Sequence, residues 1–186
     1  DEEMTGEMRN YLYHLYRQME SMLSDSGCNG KVILETHIGN SSFLLQKAKV
    51  LSPSSLYIFC DPQYEVIARE KKLLDALDRQ LNTMCIVSNY QVFPLERGCV
   101  DFIIDYFQNT SFDLFTDGFV FPRWKRYLHQ GSKLIGVFID IPHNSRSAVK
   151  FKAIHPDCTP NMHSFEDFKH SLKEHGFMIE QLYQPD

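Results

Sequence analysis

Lys31-Val32-Ile33-Leu34-Glu35-Thr36-His37-Ile38-Gly39-Asn40-Ser41 decides how this chain is read. Three apolar residues, Val32 to Leu34, run into an acid, and the acid runs into a turn built around Gly39. A helix-compatible run, Ser42 to Leu51, follows. A strand, a tight turn and a helix in this order place a helix N-terminus beside a strand end. Many α/β folds hold a nucleotide-like ligand there. Two positions where such turns usually carry glycine hold His37 and Ser41 instead.

The same alternation continues along the chain. Leu56 to Cys60 is a continuous apolar run closed by Asp61-Pro62, the pattern of a strand buried on both faces. Gln63 to Leu81 carries Val66, Ile67, Leu73, Leu74 and Leu77 at helical spacing. Met84 to Val87, Val100 to Ile104 and Leu134 to Ile139 read as three more strands. Phe119 to His129 reads as helical in its second half. Pro142 to Asn161, with three prolines, reads as an irregular excursion. Ser164 caps a helix that Gly176 ends, and Phe177 to Tyr183 is a last strand. Strands alternating with helices predict a mainly parallel sheet with helices on both faces and right-handed crossovers.

Upstream, Met4, Met8, Tyr11, Leu12, Leu15, Met19, Met22 and Leu23 recur at spacings of three and four. They mark an amphipathic helix broken by Gly27 and Gly30. The expected organisation is this helix over residues 1–26 and an α/β domain over 27–186. An apolar face left open on the helix would serve a homodimer or another domain.

Composition narrows the function. The 186 residues, 43% hydrophobic and 23% charged, suit one soluble domain with a sizeable core. A net charge of -5 disfavours nucleic acid and anionic membrane as partners. No apolar run approaches the roughly 18–20 residues that span a bilayer. The first residues lack a signal-peptide pattern. Cys28, Cys60, Cys85, Cys99 and Cys158 form no Cys-x-x-Cys pair, which points to reduced thiols in a cytoplasmic protein. The dispersed His143, His155 and His163 fit no metal motif, and no metal site is expected.

Four landmarks then resemble the class I S-adenosylmethionine-dependent methyltransferases, in that family's order. Ile33 to Ser41 is similar to its acid-led glycine loop, and Tyr57 to Asp61 to its second strand with a terminal acid. Phe93 to Ile104 resembles the stretch entering its fourth strand. Trp124 to Ile135 resembles its helix–turn–strand, and Phe168 to Phe177 supports the match. The resemblance implies a Rossmann-like α/β fold and S-adenosylmethionine as cofactor. Glu35, His37, Gly39, Asp61 and Asn89 match the cofactor-binding positions. Asp105, Tyr106 and His37 are candidates for a base or an orienting group beside a small-molecule acceptor. The family's sheet usually has a seventh, antiparallel strand. Here it is missing or supplied by Val149 to Ile154. Two functions stay open: methyl transfer, and a catalytically inactive sensor or interaction domain on the same scaffold. Another Rossmann-type binder, such as a nicotinamide enzyme, is a third reading that the absent Gly-x-Gly-x-x-Gly pattern disfavours.

Overall fold

The computed structural model describes residues 6–25, 27–40, 42–88, 92–105, 121–137, 145, 146, 149, 150, 153 and 165–183. Five strands form one all-parallel sheet: β1 (Val32–Thr36), β2 (Leu56–Asp61), β3 (Asn82–Val87), β4 (Val100–Asp105) and β5 (Leu128–Gly136). Their order in space is β3-β2-β1-β4-β5. The described helices are α1 (Gly6–Asp25), α2 (Phe43–Gln46), α3 (Tyr64–Asp75), α4 (Phe121–Trp124) and α5 (Phe165–Glu174); residues 146, 149, 150 and 153 are also helical.

The two sheet faces are built by simple alternation. Ile33, Tyr57, Phe59, Phe102 and Ile104 point to one side, where α1, α2 and α3 cover them with Met19, Leu23, Phe43, Leu44, Val66 and Ile67. Leu34, Ile58, Cys60 and Ile103 point to the other, against Phe93, Trp124, Tyr127 and Leu172. A strand with apolar residues at every position needs cover on both sides, and β1, β2 and β4 receive it. The expected Rossmann-like α/β architecture is therefore present.

Helix α1 lies on the first face. Leu15, Met19 and Leu23 are buried, and Tyr16 meets Phe43 edge to face at 5.1 Å. Lys47 stacks its ammonium over the Tyr16 ring and pairs with Glu20 at 2.6 Å. Leu15, Met19 and Leu23 are thus buried within the domain, whereas Tyr13 on the same helix is exposed. The side chains of Met4, Met8, Tyr11 and Leu12 lie outside the described residues.

Several expected boundaries are corrected. The run Ser42 to Leu51 is helical only over α2. Beyond it Lys47, Ala48 and Val50 make i→i−3 bonds that tighten the chain into turns. α3 stops at Asp75, because the ladder with β2 already begins at Asn82 opposite Leu56. The helix expected in the second half of 119–129 is instead α4, at the start of the described part. Buried Trp124 and Tyr127 fold the chain back, and the Tyr127 hydroxyl bonds both the N–H and the C=O of Phe93. β5 starts early at Leu128 and carries an irregularity between its pairings with Val100 and Phe102, where Gly131 takes φ +88.

The expected last strand, Phe177 to Tyr183, is not one. Phe177 packs against the second core cluster, but Met178, Ile179, Leu182 and Tyr183 are exposed, and among the described residues the segment pairs with no strand. Its link to β5 is an ion pair, Lys133 to Glu180 at 2.6 Å, and side chains can make that contact without a backbone ladder. Val149, Lys150 and Ala153 are helical, so the described part of Val149 to Ile154 supplies no seventh strand.

At the amino ends of the strands, Asp101 accepts bonds from Val32 N–H (2.8 Å) and Lys31 Nζ (3.1 Å) and contacts His129 Nε2 (3.2 Å). It ties β1 to β4 and β5. Partial burial pushes its pKa up, but these three contacts outweigh the burial and hold it below the ordinary value of 3.8. A carboxyl whose pKa is lower folded than unfolded contributes stability above 3.8 that is lost as pH falls through the folded value. Asp101→Asn is expected to cost about 1–3 kcal/mol at neutral pH in urea unfolding. That cost should shrink below pH 3.8; a pH-independent cost would contradict the assignment.

Candidate functional site

The chain leaves β1 for β2 and β3, then returns to β4 on the other side of β1. The crevice beyond the carboxyl ends of β1 and β4 is therefore the topological switch point, the usual ligand position in an open α/β sheet. Buried polar side chains gather at this end: Glu35, Thr36, Ser42, Asp61 and Asp105. Polar burial is costly unless it is compensated, so this concentration makes the carboxyl end of the sheet the candidate site.

Glu35 is the penultimate residue of β1 and is 1% exposed. Its carboxylate accepts Ser42 Oγ–H at 2.6 Å, Phe43 N–H at 2.6 Å and Leu44 N–H at 3.0 Å. Ser42 in turn caps α2 by accepting Leu45 N–H at 2.9 Å. The first amides of α2, which have no partner inside the helix, are thereby satisfied from the strand. Glu35 thus fixes the turn by holding the segment beyond it.

The turn itself is left-handed at two places. His37 has φ +50 and Gly39 has φ +55. Glycine reaches this region freely; at His37 the Cβ costs on the order of 1–2 kcal/mol. The His37 ring turns inward far enough to bury Nε2. Gly39 is held at both ends of its backbone. Its N–H donates to Asp61 Oδ2 at 3.0 Å, and its C=O accepts from Arg69 Nη2 on α3. The second Asp61 oxygen, Oδ1, accepts Gln63 N–H at 2.8 Å. Asp61 is 3% exposed. It therefore joins three elements: β2, the turn after β1, and the entry to α3.

Among the expected site residues, Glu35, His37, Gly39 and Asp61 come together around this turn. Asp105 ends β4, fully buried, on the strand next to β1. Asn89 and Tyr106 lie outside the described residues, as does Ser41. Two contributors escaped the sequence reading. Ser42 could have been found as an N-cap residue preceding an apolar run. Arg69 could not: an arginine next to Glu70 on an amphipathic helix reads as a solvent-facing pair.

Burial pushes the Glu35 carboxyl up from 4.5 to about 7, against the opposing pull of its bonds to Ser42, Leu44 and Phe43. The neighbouring Glu70 carboxylate adds to the rise. A proton held more tightly in the folded state stabilises at low pH, and that stability is lost as pH rises from 4.5 to about 7. Glu35→Gln has no such proton and leaves one donor unsatisfied, so it should cost about 1–3 kcal/mol near pH 5. The deficit should narrow by up to about 3 kcal/mol towards pH 8. Urea unfolding at the two pH values measures this, and a constant deficit would show that the three bonds keep the carboxylate charged throughout.

No family model matches the chain, and no curated protein matches it in sequence. Solved structures do match. A SAM-dependent methyltransferase from Aquifex aeolicus is 17% identical with a TM-score of 0.63, over 85% of this chain and 78% of that one. A putative sarcosine dimethylglycine methyltransferase from Galdieria sulphuraria is 15% identical with a TM-score of 0.73, over 91% and 61%. Geranyl diphosphate C-methyltransferase from Streptomyces coelicolor A3(2), solved with Mg2+, geranyl diphosphate and S-adenosyl-L-homocysteine, is 15% identical with a TM-score of 0.63, over 94% and 67%. These likenesses carry the fold: the five-stranded parallel sheet of this chain is the Rossmann-like fold of the class I S-adenosylmethionine-dependent methyltransferases.

Proposed function

We propose that the chain binds S-adenosylmethionine at the carboxyl ends of β1 and β2 and transfers its methyl group to a small-molecule acceptor. The observation that carries this reading is the backbone of the turn. His37 and Gly39 both take left-handed conformations, so the turn keeps a path that glycine would follow although a histidine stands in it. A turn held in that path at a cost of about 1–2 kcal/mol is the kind of strain that function retains.

Asp61 fits the cofactor chemically. Each carboxylate oxygen accepts one backbone N–H, and each can accept one further bond. Two free acceptor positions match the two hydroxyls of a ribose. Glu35 acts indirectly by holding α2, and Asn89 completes the set as an adenine contact. The cofactor supplies an electrophilic methyl group, so the chain's task is to position the acceptor, exclude water and receive a proton. Asp105, Tyr106 and His37 are the candidates for that proton. The small-molecule acceptors named for two of the structural neighbours support the same class here. The described cysteines are free and burial raises their pKa values, Cys60 to about 12 and Cys28 to about 11. Such unreactive thiols suit a reducing cytoplasm. Residues 1–26 are read as a helical extension of the catalytic domain 27–186.

One observation favours the inactive scaffold instead: Asp61 is 3% exposed, with both oxygens already engaged by backbone amides. Calorimetric titration with S-adenosylmethionine and S-adenosylhomocysteine separates the two. Micromolar binding that Asp61→Asn weakens at least tenfold is the expected result (about 1.4 kcal/mol or more). His37→Gly should bind several-fold more tightly, since it removes a ring from the turn. Its folding stability should change by less than about 1 kcal/mol, because relief of strain and the greater freedom of unfolded glycine oppose each other. No binding by either the parent or His37→Gly would sink the enzyme reading in favour of the scaffold.

A further inference from the structure

The Gly39 peptide is gripped from two sides by groups that lie on different elements. Asp61, ending β2, takes its N–H at 3.0 Å. Arg69, on α3, donates Nη2–H to its C=O. Arg69 is itself aimed by its neighbour: Nε and Nη2 donate to Glu70 Oε1 at 3.3 and 3.0 Å. The Glu70 side chain is 2% exposed, whereas that of Arg69 is 40% exposed. A buried carboxylate thus fixes a guanidinium that lies partly in solvent. Arginine suits this task because its planar fork can serve a carboxylate and a carbonyl at once, which a lysine ammonium does less well.

The consequence reaches Asp61. The two backbone bonds that orient its carboxylate come from Gly39 and Gln63. The Gln63 bond is local, two residues along the chain. The Gly39 bond depends on a turn that is left-handed at 37 and 39 and carries strain at His37. Remove the grip on the Gly39 carbonyl, and the turn can relax towards ordinary φ values and withdraw its N–H from Asp61. We propose that Arg69, aimed by Glu70, is a positioning residue for cofactor binding: through the Gly39 peptide it holds the Asp61 carboxylate in its ligand-accepting orientation. The inference rests on the S-adenosylmethionine reading of the site. It adds a residue on the outer part of α3 that contacts no ligand itself.

The test uses the 1–186 chain with Arg69→Met and Arg69→Lys. Three quantities are measured: the melting temperature, amide hydrogen exchange of residues 37–40 without ligand, and calorimetric affinity for S-adenosylhomocysteine. Because Arg69→Met also takes the charged partner from the buried Glu70 carboxylate, its melting temperature should fall, and affinity is therefore compared at a temperature well below the melting of every variant. In Arg69→Met the Gly39 amide should exchange faster, and affinity should fall about tenfold, equivalent to about 1.4 kcal/mol. Arg69→Lys should recover part of both. Unchanged exchange at Gly39, affinity within twofold of the parent, or affinity that falls only in step with a general loss of stability would each overturn the positioning role. A parent chain that does not bind S-adenosylhomocysteine overturns the methyltransferase reading and with it any cofactor role for Arg69. A parent that binds normally beside an Arg69→Met variant that also does so overturns only the inference.

Discussion

A carboxylate with almost no exposure, Glu35, must find hydrogen-bond donors or it cannot stay at the end of a buried strand. It finds them in Ser42, Phe43 and Leu44. The two amides belong to the first turn of α2, which offers them no acceptor within the helix. Each side solves the other's problem, and the chain between them is forced into a short, tight turn. The positions of His37 and Gly39 follow from this closure. So does the approach of Gly39 to Asp61 on the neighbouring strand.

The sheet makes that closure possible. β1 lies between β2 and β4, and all three are apolar on both faces. Their carboxyl ends are therefore fixed against one another to within side-chain reach. The Asp101 cluster does comparable work at the opposite end, tying the beginnings of β1, β4 and β5. With both ends secured, polar groups too costly for the middle of the core can be placed where the strands stop. The exposed side chains of 178, 179, 182 and 183 show what an apolar segment looks like when no strand pairs with it.

Departures from glycine at positions 37 and 41 raise the question of whether such a turn can keep its form. At His37 the answer is energetic. A strain of about 1–2 kcal/mol is set against three bonds to Glu35 and two to the Gly39 peptide, several of them charge-assisted and each worth about 0.5–3 kcal/mol net. The surrounding contacts over-determine the backbone, so the side chain at 37 yields.

Read alone, the sequence determined the layers of the fold, because the unbroken apolar run Leu56–Cys60 and the run Phe102–Ile104 behind Asp101, alternating with helical periodicity, fit strands covered on both faces. It also located Glu35, Gly39 and Asp61, since an acid closing such a run must meet a partner at the strand end. Local pattern could not supply the outcome at helix ends, where i→i−3 turns after α2 and ladder register at Asn82 decided the boundaries. Nor could it show that Phe177 to Tyr183 stays out of the sheet, because strand formation needs a neighbour and not only a suitable composition. The role of Arg69 belongs wholly to the tertiary structure. Thirty residues separate it from the carbonyl it binds, and only the packing of α3 beside β2 and β3 brings a common surface arginine to that one peptide.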